Sequence, residues 1–279
     1  MWSAGASAWK PNAEPQTWCY RKEIEVPRVK VSLSDFEKTW PETTRREFRS
    51  HILPWFVFRN FGKLLAWLFL RIGLTANCIT VASILCAIIG SLLIAVYAGN
   101  LLLTYTGVIL LWMWAILDAT DGRMARILGP TKLGDFLDRF AADVKRAFLY
   151  PCVAVRAVQE PGYVSAIAAD AGITPTVILV CGFATSILFL WSVSTTCKFK
   201  TIFGTAKEAS ALGRVHEQTP SLRRRLFVIG ANIYEYEFVF LIIAPLLKAW
   251  DCMTLFYLLF AVGILFITLF GTVRSAAEQ

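Results

Sequence analysis

Beyond about residue 74 the chain alternates long apolar runs with short polar links, and the apolar runs have the length of membrane-crossing helices. A spanning helix needs about 20 mostly apolar residues to cross a hydrocarbon core of roughly 30 Å. Six runs meet that need: Thr75–Tyr97, Leu101–Ala119, Leu133–Ala157, Thr174–Ser194, Leu226–Trp250 and Cys252–Val273. The links Ala98–Asn100 and Trp250–Asp251 are so short that each predicts a helical hairpin of antiparallel neighbours. Before the first run lies "HILPWFVFRNFGKLLAWLFLRIG", residues 51–73, an aromatic-rich apolar stretch broken by Arg59, Lys63 and Arg71. Each of those charges would cost about 2.5–3.5 kcal/mol at mid-bilayer, so the pattern predicts an interfacial amphipathic helix rather than a seventh span. Residues 1–50 mix Pro, Trp and charges without periodicity and read as a cytoplasmic N-terminal extension. They lack the apolar core of a cleavable signal peptide, and none is expected. The predicted fold is all-α: six transmembrane helices over residues 74–279, preceded by the interfacial helix at 51–73. No internal repeat points to an inverted-repeat transporter.

Composition agrees with this pattern. Of 279 residues, 56% are hydrophobic and 17% charged, yet the formal net charge is +8. A soluble domain of that hydrophobicity would aggregate, whereas a polytopic membrane protein with basic ends and links fits. The seven cysteines form no CxxC pair and lie mostly in apolar runs, so they read as packing residues. With only two histidines, a histidine-based metal site is excluded. Arg45, Arg46, Arg49, Arg59, Lys63 and Arg71 precede the first span; Arg123, Arg126 and Lys132 follow the second; Lys198, Lys200, Lys207, Arg214 and Arg223 to Arg225 precede the fifth. If the spans alternate, all of these fall on one side, which makes both termini cytoplasmic. Basic charge so dispersed over membrane-proximal links argues against nucleic-acid binding. A bacterial inner membrane is the simplest location.

Against this background the window "LDATDGRMARILGPTKLGDFLDRFAADV" stands out, because it carries Asp118, Asp121, Asp135, Asp138 and Asp143. Asp118 and Asp121 are three apart at the end of the second span and share a helix face. Asp138 and Asp143 lie near the start of the third, which enters from the same side. Two antiparallel helices joined by a short link would bring four carboxylates to one depth, where unpaired charge is costly and cations are needed. Carboxylates without His or Cys favour a hard cation such as Mg²⁺ or Mn²⁺, which commonly shares its coordination with phosphate. Gly122 and Gly134 leave room for a ligand near the backbone, and Arg126 supplies donors suited to phosphate oxygens. The bland alternative is a set of ion pairs with Arg123, Arg126, Arg139, Lys145 and Arg146; the number and spacing of the carboxylates favour a metal–phosphate site facing the cytoplasm.

The same window resembles the signature of the CDP-alcohol phosphotransferases, D-x2-D-G-x2-A-R-x8-G-x3-D-x3-D. Asp118, Asp121, Gly122, Ala125 and Arg126 fit its first half, and Gly134 with Asp138 keeps the G-x3-D spacing. "GLTANCITVASILCAIIG", Gly73 to Gly90, also looks like that family's first span. The resemblance implies two divalent metals, Mg²⁺ or Mn²⁺, held by Asp118, Asp121, Asp138 and the final aspartate, here Asp143, which would also take the proton from the acceptor hydroxyl. It implies that Asp118, Gly122, Ala125, Arg126 and Gly134 lie against the cytidine diphosphate. The implied reaction moves a phosphatidyl or substituted phosphoryl group from a CDP-alcohol to a hydroxyl acceptor with release of CMP, in phospholipid biosynthesis. CDP-diacylglycerol suits a membrane-level site as donor, with membrane lipids around it, and a homodimer is implied as well.

The match has two departures. Seven residues separate Arg126 from Gly134 instead of eight, and four separate Asp138 from Asp143 instead of three, leaving Ala142 where the last aspartate belongs. On a regular helix this turns Asp143 about 100° away from the expected face. A π-bulge could restore that face; Asp135 with Asp138 could form the second ligand pair instead; or the base is lost and the protein binds nucleotide without turning it over. For the acceptor, Lys145 inside the third span and Glu235 in the fifth are candidates, with Glu237 on another face and a Lys–Glu ion pair as the alternative use. A transporter is the rival from another class, but it leaves the D-x2-D-G-x2-A-R spacing unexplained.

Overall fold

The structure, a computed structural model, describes residues 57–96, 98–172, 174–203 and 236–277, together with Ser32 and Phe36. Among these residues it consists of helices joined by short links: α1 (Arg59–Ile72), α2 (Ala76–Val96), α3 (Leu101–Leu128), α4 (Lys132–Gln159), α5 (Tyr163–Asp170), α6 (Thr176–Phe203), α7 (Glu237–Leu247) and α8 (Trp250–Ala277). The all-α expectation holds. Four helices are long and apolar enough to cross a bilayer: Ala76–Val96, Leu101–Leu128, Thr176–Phe199 and Trp250–Val273, as in an integral membrane protein. The other two expected spans differ. The third is helical throughout as α4, but its Asp, Lys and Arg residues make it too polar to qualify on composition. Of the fifth, only α7 and its immediate flanks are described, and its beginning lies outside the described residues.

Local chemistry accounts for several boundaries. Gly73 ends α1 in the left-handed region at φ 80°, with its N–H and that of Leu74 donating to Leu70 and Phe69. The side chain of Asn100 caps α3 through the Leu103 N–H, and Thr131 caps α4 through that of Gly134. The hairpin link expected at Trp250–Asp251 lies instead at Lys248 and Ala249, because fully buried Trp250 begins α8. One end of Asp251 accepts from the Ser165 N–H, tying α8 to the unanticipated helix α5.

α1 exposes an apolar stripe of Phe61, Leu64, Leu68 and Ile72, while Ala66 and Leu70 pack with Leu117 and Met124 of α3. α2 joins the two arms of the acidic window. It packs broadly on both α3 and α4, whereas α3 and α4 scarcely touch each other. This differs from the expected direct pairing of the second and third spans. The reason lies in small residues along α2: Ser83, Ala87, Gly90 and Ser91 are buried, and a Cβ on Gly107 of α3 would sit 2.6 Å from the Gly90 carbonyl. The two backbones therefore cross closer than any side chain allows. α4 is backed by α6 and α8 around Leu149, Tyr150, Val153 and Phe189. α7 leans on α3, where the Trp112 indole donates to the Phe238 carbonyl at 3.3 Å.

Candidate active site

The acidic window is more helical than its glycines suggest. α3 continues past the expected end at Ala119 as far as Leu128, so Asp118, Asp121, Gly122, Ala125 and Arg126 all lie on regular helix rather than in a link. Only Gly129 to Thr131 turn the chain into α4. Asp118 is half-buried, and the charges acting on it are those of Asp121, Asp138, Lys145 and Arg146. Asp121 is buried, at 3% exposure, and feels Asp138 as well. Asp138 is exposed on α4. The charge of Asp138 thus reaches Asp118 and Asp121 across the end of α2, while the charges acting on Asp138 itself are those of Asp135 and Arg139.

α2 does more than separate them. The Thr80 hydroxyl donates to Asp121 Oδ2 at 2.5 Å. Asp121 Oδ1 is buried and makes no regular hydrogen bond, although the Gly122 N–H acts on the carboxylate. A carboxylate oxygen left so is costly without a cation. Asn77, one turn earlier on α2, lies beside Gly134, where an added Cβ would come 3.3 Å from its Oδ1 and 3.0 Å from Thr131 Oγ1. Gly134 therefore has a local packing reason to lack a side chain. Around Gly122, in contrast, a Cβ would meet no protein atom within 4 Å, so that glycine keeps open the space beside the aspartates. Ala125 is half-buried and Arg126 exposed next to it.

The departures from the signature have a definite outcome. α4 is regular α-helix from Asp138 to Asp143, without a π turn, so Ala142 and not Asp143 follows Asp138 on its face. The bulge that would have restored the face is absent, and the shorter Arg126–Gly134 interval cannot replace it, because the phase between Asp138 and Asp143 is set within α4. Asp143 pairs with Arg146 at 2.9 Å, and Arg146 also acts on Asp118, which keeps Asp143 at the flank of the cluster. Asp135 lies at the surface in an ion pair with Arg139 at 3.0 Å.

Of the acceptor candidates, Glu235 lies outside the described residues. Lys145 is fully buried and forms an ion pair with Glu237 at 2.5 Å, beneath the rings of Trp114 and Phe238. Glu237, which the sequence puts on another face from Glu235, is thus the partner of Lys145, and Thr80 lay outside the predicted site residues. The signal for Thr80 was present: Asn77 and Thr80, three apart, form a polar pair in an otherwise apolar run.

The donor set, all oxygen with a buried Oδ1 that makes no regular hydrogen bond, suits a hard divalent cation. Among the described residues no three His, Cys, Asp or Glu side chains already form a closed metal cage. The apolar helices are those of an integral membrane protein, and it is the family match that makes this bundle one of the membrane-embedded enzymes. Residues 73–274 match the family model of the CDP-alcohol phosphatidyltransferases, and the chain belongs to that family. It is accordingly a transferase of phospholipid synthesis, of the kind that moves a phosphatidyl group from a CDP-alcohol, and its family is generally dependent on divalent metals. None of the curated proteins compared with the chain matches it.

Proposed function

We propose that the protein transfers the phosphatidyl group of CDP-diacylglycerol to a hydroxyl acceptor and releases CMP. The observation that carries the reading is the shared field of Asp118, Asp121 and Asp138 from two helices beside the open face of Gly122, with one buried Asp121 oxygen making no regular hydrogen bond. Asp118, Asp121 and Asp138 would hold the divalent cations, two of Mg²⁺ or Mn²⁺. When bound, these neutralise the pyrophosphate and stabilise charge on departing CMP. Gly122 and Ala125 leave room for the nucleotide, Gly134 shapes the start of α4 beside it, and Arg126 donates to phosphate oxygens from the rim. Asp143, held beside the cluster by Arg146, takes the proton of the acceptor hydroxyl as its oxygen bonds to phosphorus and the bond to CMP breaks. The paired Lys145 lies one turn deeper, on the acceptor side. The exposed apolar stripe of α1 beside Lys63 suits a helix lying in the membrane interface, with α4 and α7 completing six spans. Lysine and arginine positions put the site on the cytoplasmic side.

The test is CMP release by the purified protein with CDP-diacylglycerol and Mg²⁺ or Mn²⁺, across glycerol 3-phosphate, inositol, inositol phosphate, serine and a phosphatidyl acceptor. Release that needs one acceptor and disappears in Asp121→Ala is expected. Asp143→Ala should retain metal-dependent CDP binding and lose turnover; full turnover in that variant removes Asp143 from the role of base. Binding of CDP without turnover by the unaltered chain would replace the proposal with a nucleotide-binding homologue, the reading that Ala142 favours.

A further inference from the structure

We infer that Thr80, which lies outside the aspartate signature, is a positioning residue that locks the Asp121 carboxylate so that Oδ1 is the oxygen presented to a divalent cation. The inference deepens the proposed function and rests on its reading of Asp121 as a metal ligand. Thr80 and Asp121 are each only 3% exposed, and they come from different helices. The single hydroxyl proton has two acceptors within reach, Ala76 O at 3.1 Å and Asp121 Oδ2 at 2.5 Å. The nearer and charged acceptor takes it, since a hydrogen bond to a carboxylate is the stronger kind. With Oδ2 tied to α2, rotation of the carboxylate about its last bond is stopped. Oδ1 is left buried without a regular hydrogen bond, though the Gly122 N–H acts on the carboxylate, and a cation entering beside Gly122 would complete it.

The placement in the bundle strengthens the argument. α2 is the helix that lies between the two halves of the acidic window, and its polar face there consists of Asn77 and Thr80. Asn77 borders Gly134 at the start of α4, while Thr80 holds Asp121 on α3. One helix face thus fixes the spacing of α3 and α4 and the orientation of a carboxylate between them. Groups that orient metal ligands in this way commonly change affinity when lost, by about 10- to 100-fold.

The experiment is a titration of the full-length purified protein, stripped by chelator, with Mn²⁺ alone, followed by the free-ion paramagnetic resonance signal. Thr80→Val should weaken Mn²⁺ binding by about tenfold or more, and Thr80→Ser, which keeps the hydroxyl, should restore it. The thermal unfolding midpoint in chelator should fall in Thr80→Val, which strips the buried Asp121 carboxylate of its hydrogen bond, and return in Thr80→Ser. The Mn²⁺ affinities are therefore compared at a temperature where all three proteins are folded. Thr80→Ala supplies the same comparison if the valine variant does not fold. Mn²⁺ affinity unchanged in Thr80→Val, with binding lost in Asp121→Asn, overturns the role of Thr80 alone. A loss that Thr80→Ser fails to restore assigns the effect to packing and also overturns it. Unchanged affinity in Asp121→Asn removes Asp121 as a ligand, and the inference about Thr80 falls with it.

Discussion

Glu237→Ala is the substitution whose cost the structure defines best. Lys145 Nζ and Glu237 Oε2 are 2.5 Å apart, and neither side chain is more than 1% exposed. Removing the carboxylate strands an ammonium that water cannot reach, and breaking one partner of a buried pair costs about 3–5 kcal/mol. The aromatic rings above Lys145, Trp114 at 5.0 Å and Phe238 at 5.7 Å, recover only part of that, because a desolvated cation–π contact contributes about 2 kcal/mol and is already present. The double variant Lys145→Met with Glu237→Leu keeps volume, removes both charges and should return to within about 1–2 kcal/mol of the parent. The assay is unfolding in detergent, with denaturant midpoints for the parent, Glu237→Ala, the cycle singles Lys145→Met and Glu237→Leu, and the double. A coupling near zero in that cycle, or Glu237→Ala within about 0.5 kcal/mol of the parent, refutes the reasoning, since surface substitutions alone behave so.

Three further outcomes follow from the same contacts. Gly107→Ala places a Cβ 2.6 Å from the Gly90 carbonyl, so α2 and α3 must part; a loss of about 1–3 kcal/mol in the same unfolding assay is expected. Arg156→Leu removes donors to Glu160, Thr104 and the Ile94 carbonyl at the other end of α4, and should cost about 1–3 kcal/mol, since Glu160 is partly exposed and keeps the Gly99 N–H. Its Mn²⁺ affinity should stay unchanged, because Arg156 lies about 20 Å along the helix from Asp143. Asp135→Ala breaks an exposed i,i+4 pair that stabilises by about 0.3–0.5 kcal/mol, and CMP release should persist; lost release would make Asp135 part of the second ligand pair.

Helix order, several helix starts and the acidic window were legible in the sequence because each rests on local chemistry: apolar run length, Asn100 and Thr131 at N-caps, Gly73 at a C-cap. Helix extent was less legible. The charges of "DATDGRMAR" suggested a link, yet with no proline before Pro130 nothing local stops α3, and Gly122 alone does not break a helix that packs through Met124. The polarity of α4 hid in the same way. Its charged residues are matched within the bundle by Glu237, Glu160 and neighbouring aspartates, so tertiary partners, and not composition, make the helix tenable.

The arrangement of the site was the least legible part, and the reason is geometric. A short link between two helices fixes their separation along the sequence but not which third helix fills the groove between them. Here the close crossing of Gly90 and Gly107 draws α2 into that groove. Once it lies there, the acidic residues of α3 and α4 face each other over a helix end instead of across a shared seam. Regular helix through Asp138 and Asp143 then has a consequence: the fourth aspartate cannot join the first three by rotation of α4 without taking Asp138 away. Arg146, reaching both Asp143 and the field of Asp118, provides the connection that helical phase denies. The base role proposed for Asp143 would therefore depend on an arginine that the signature does not contain.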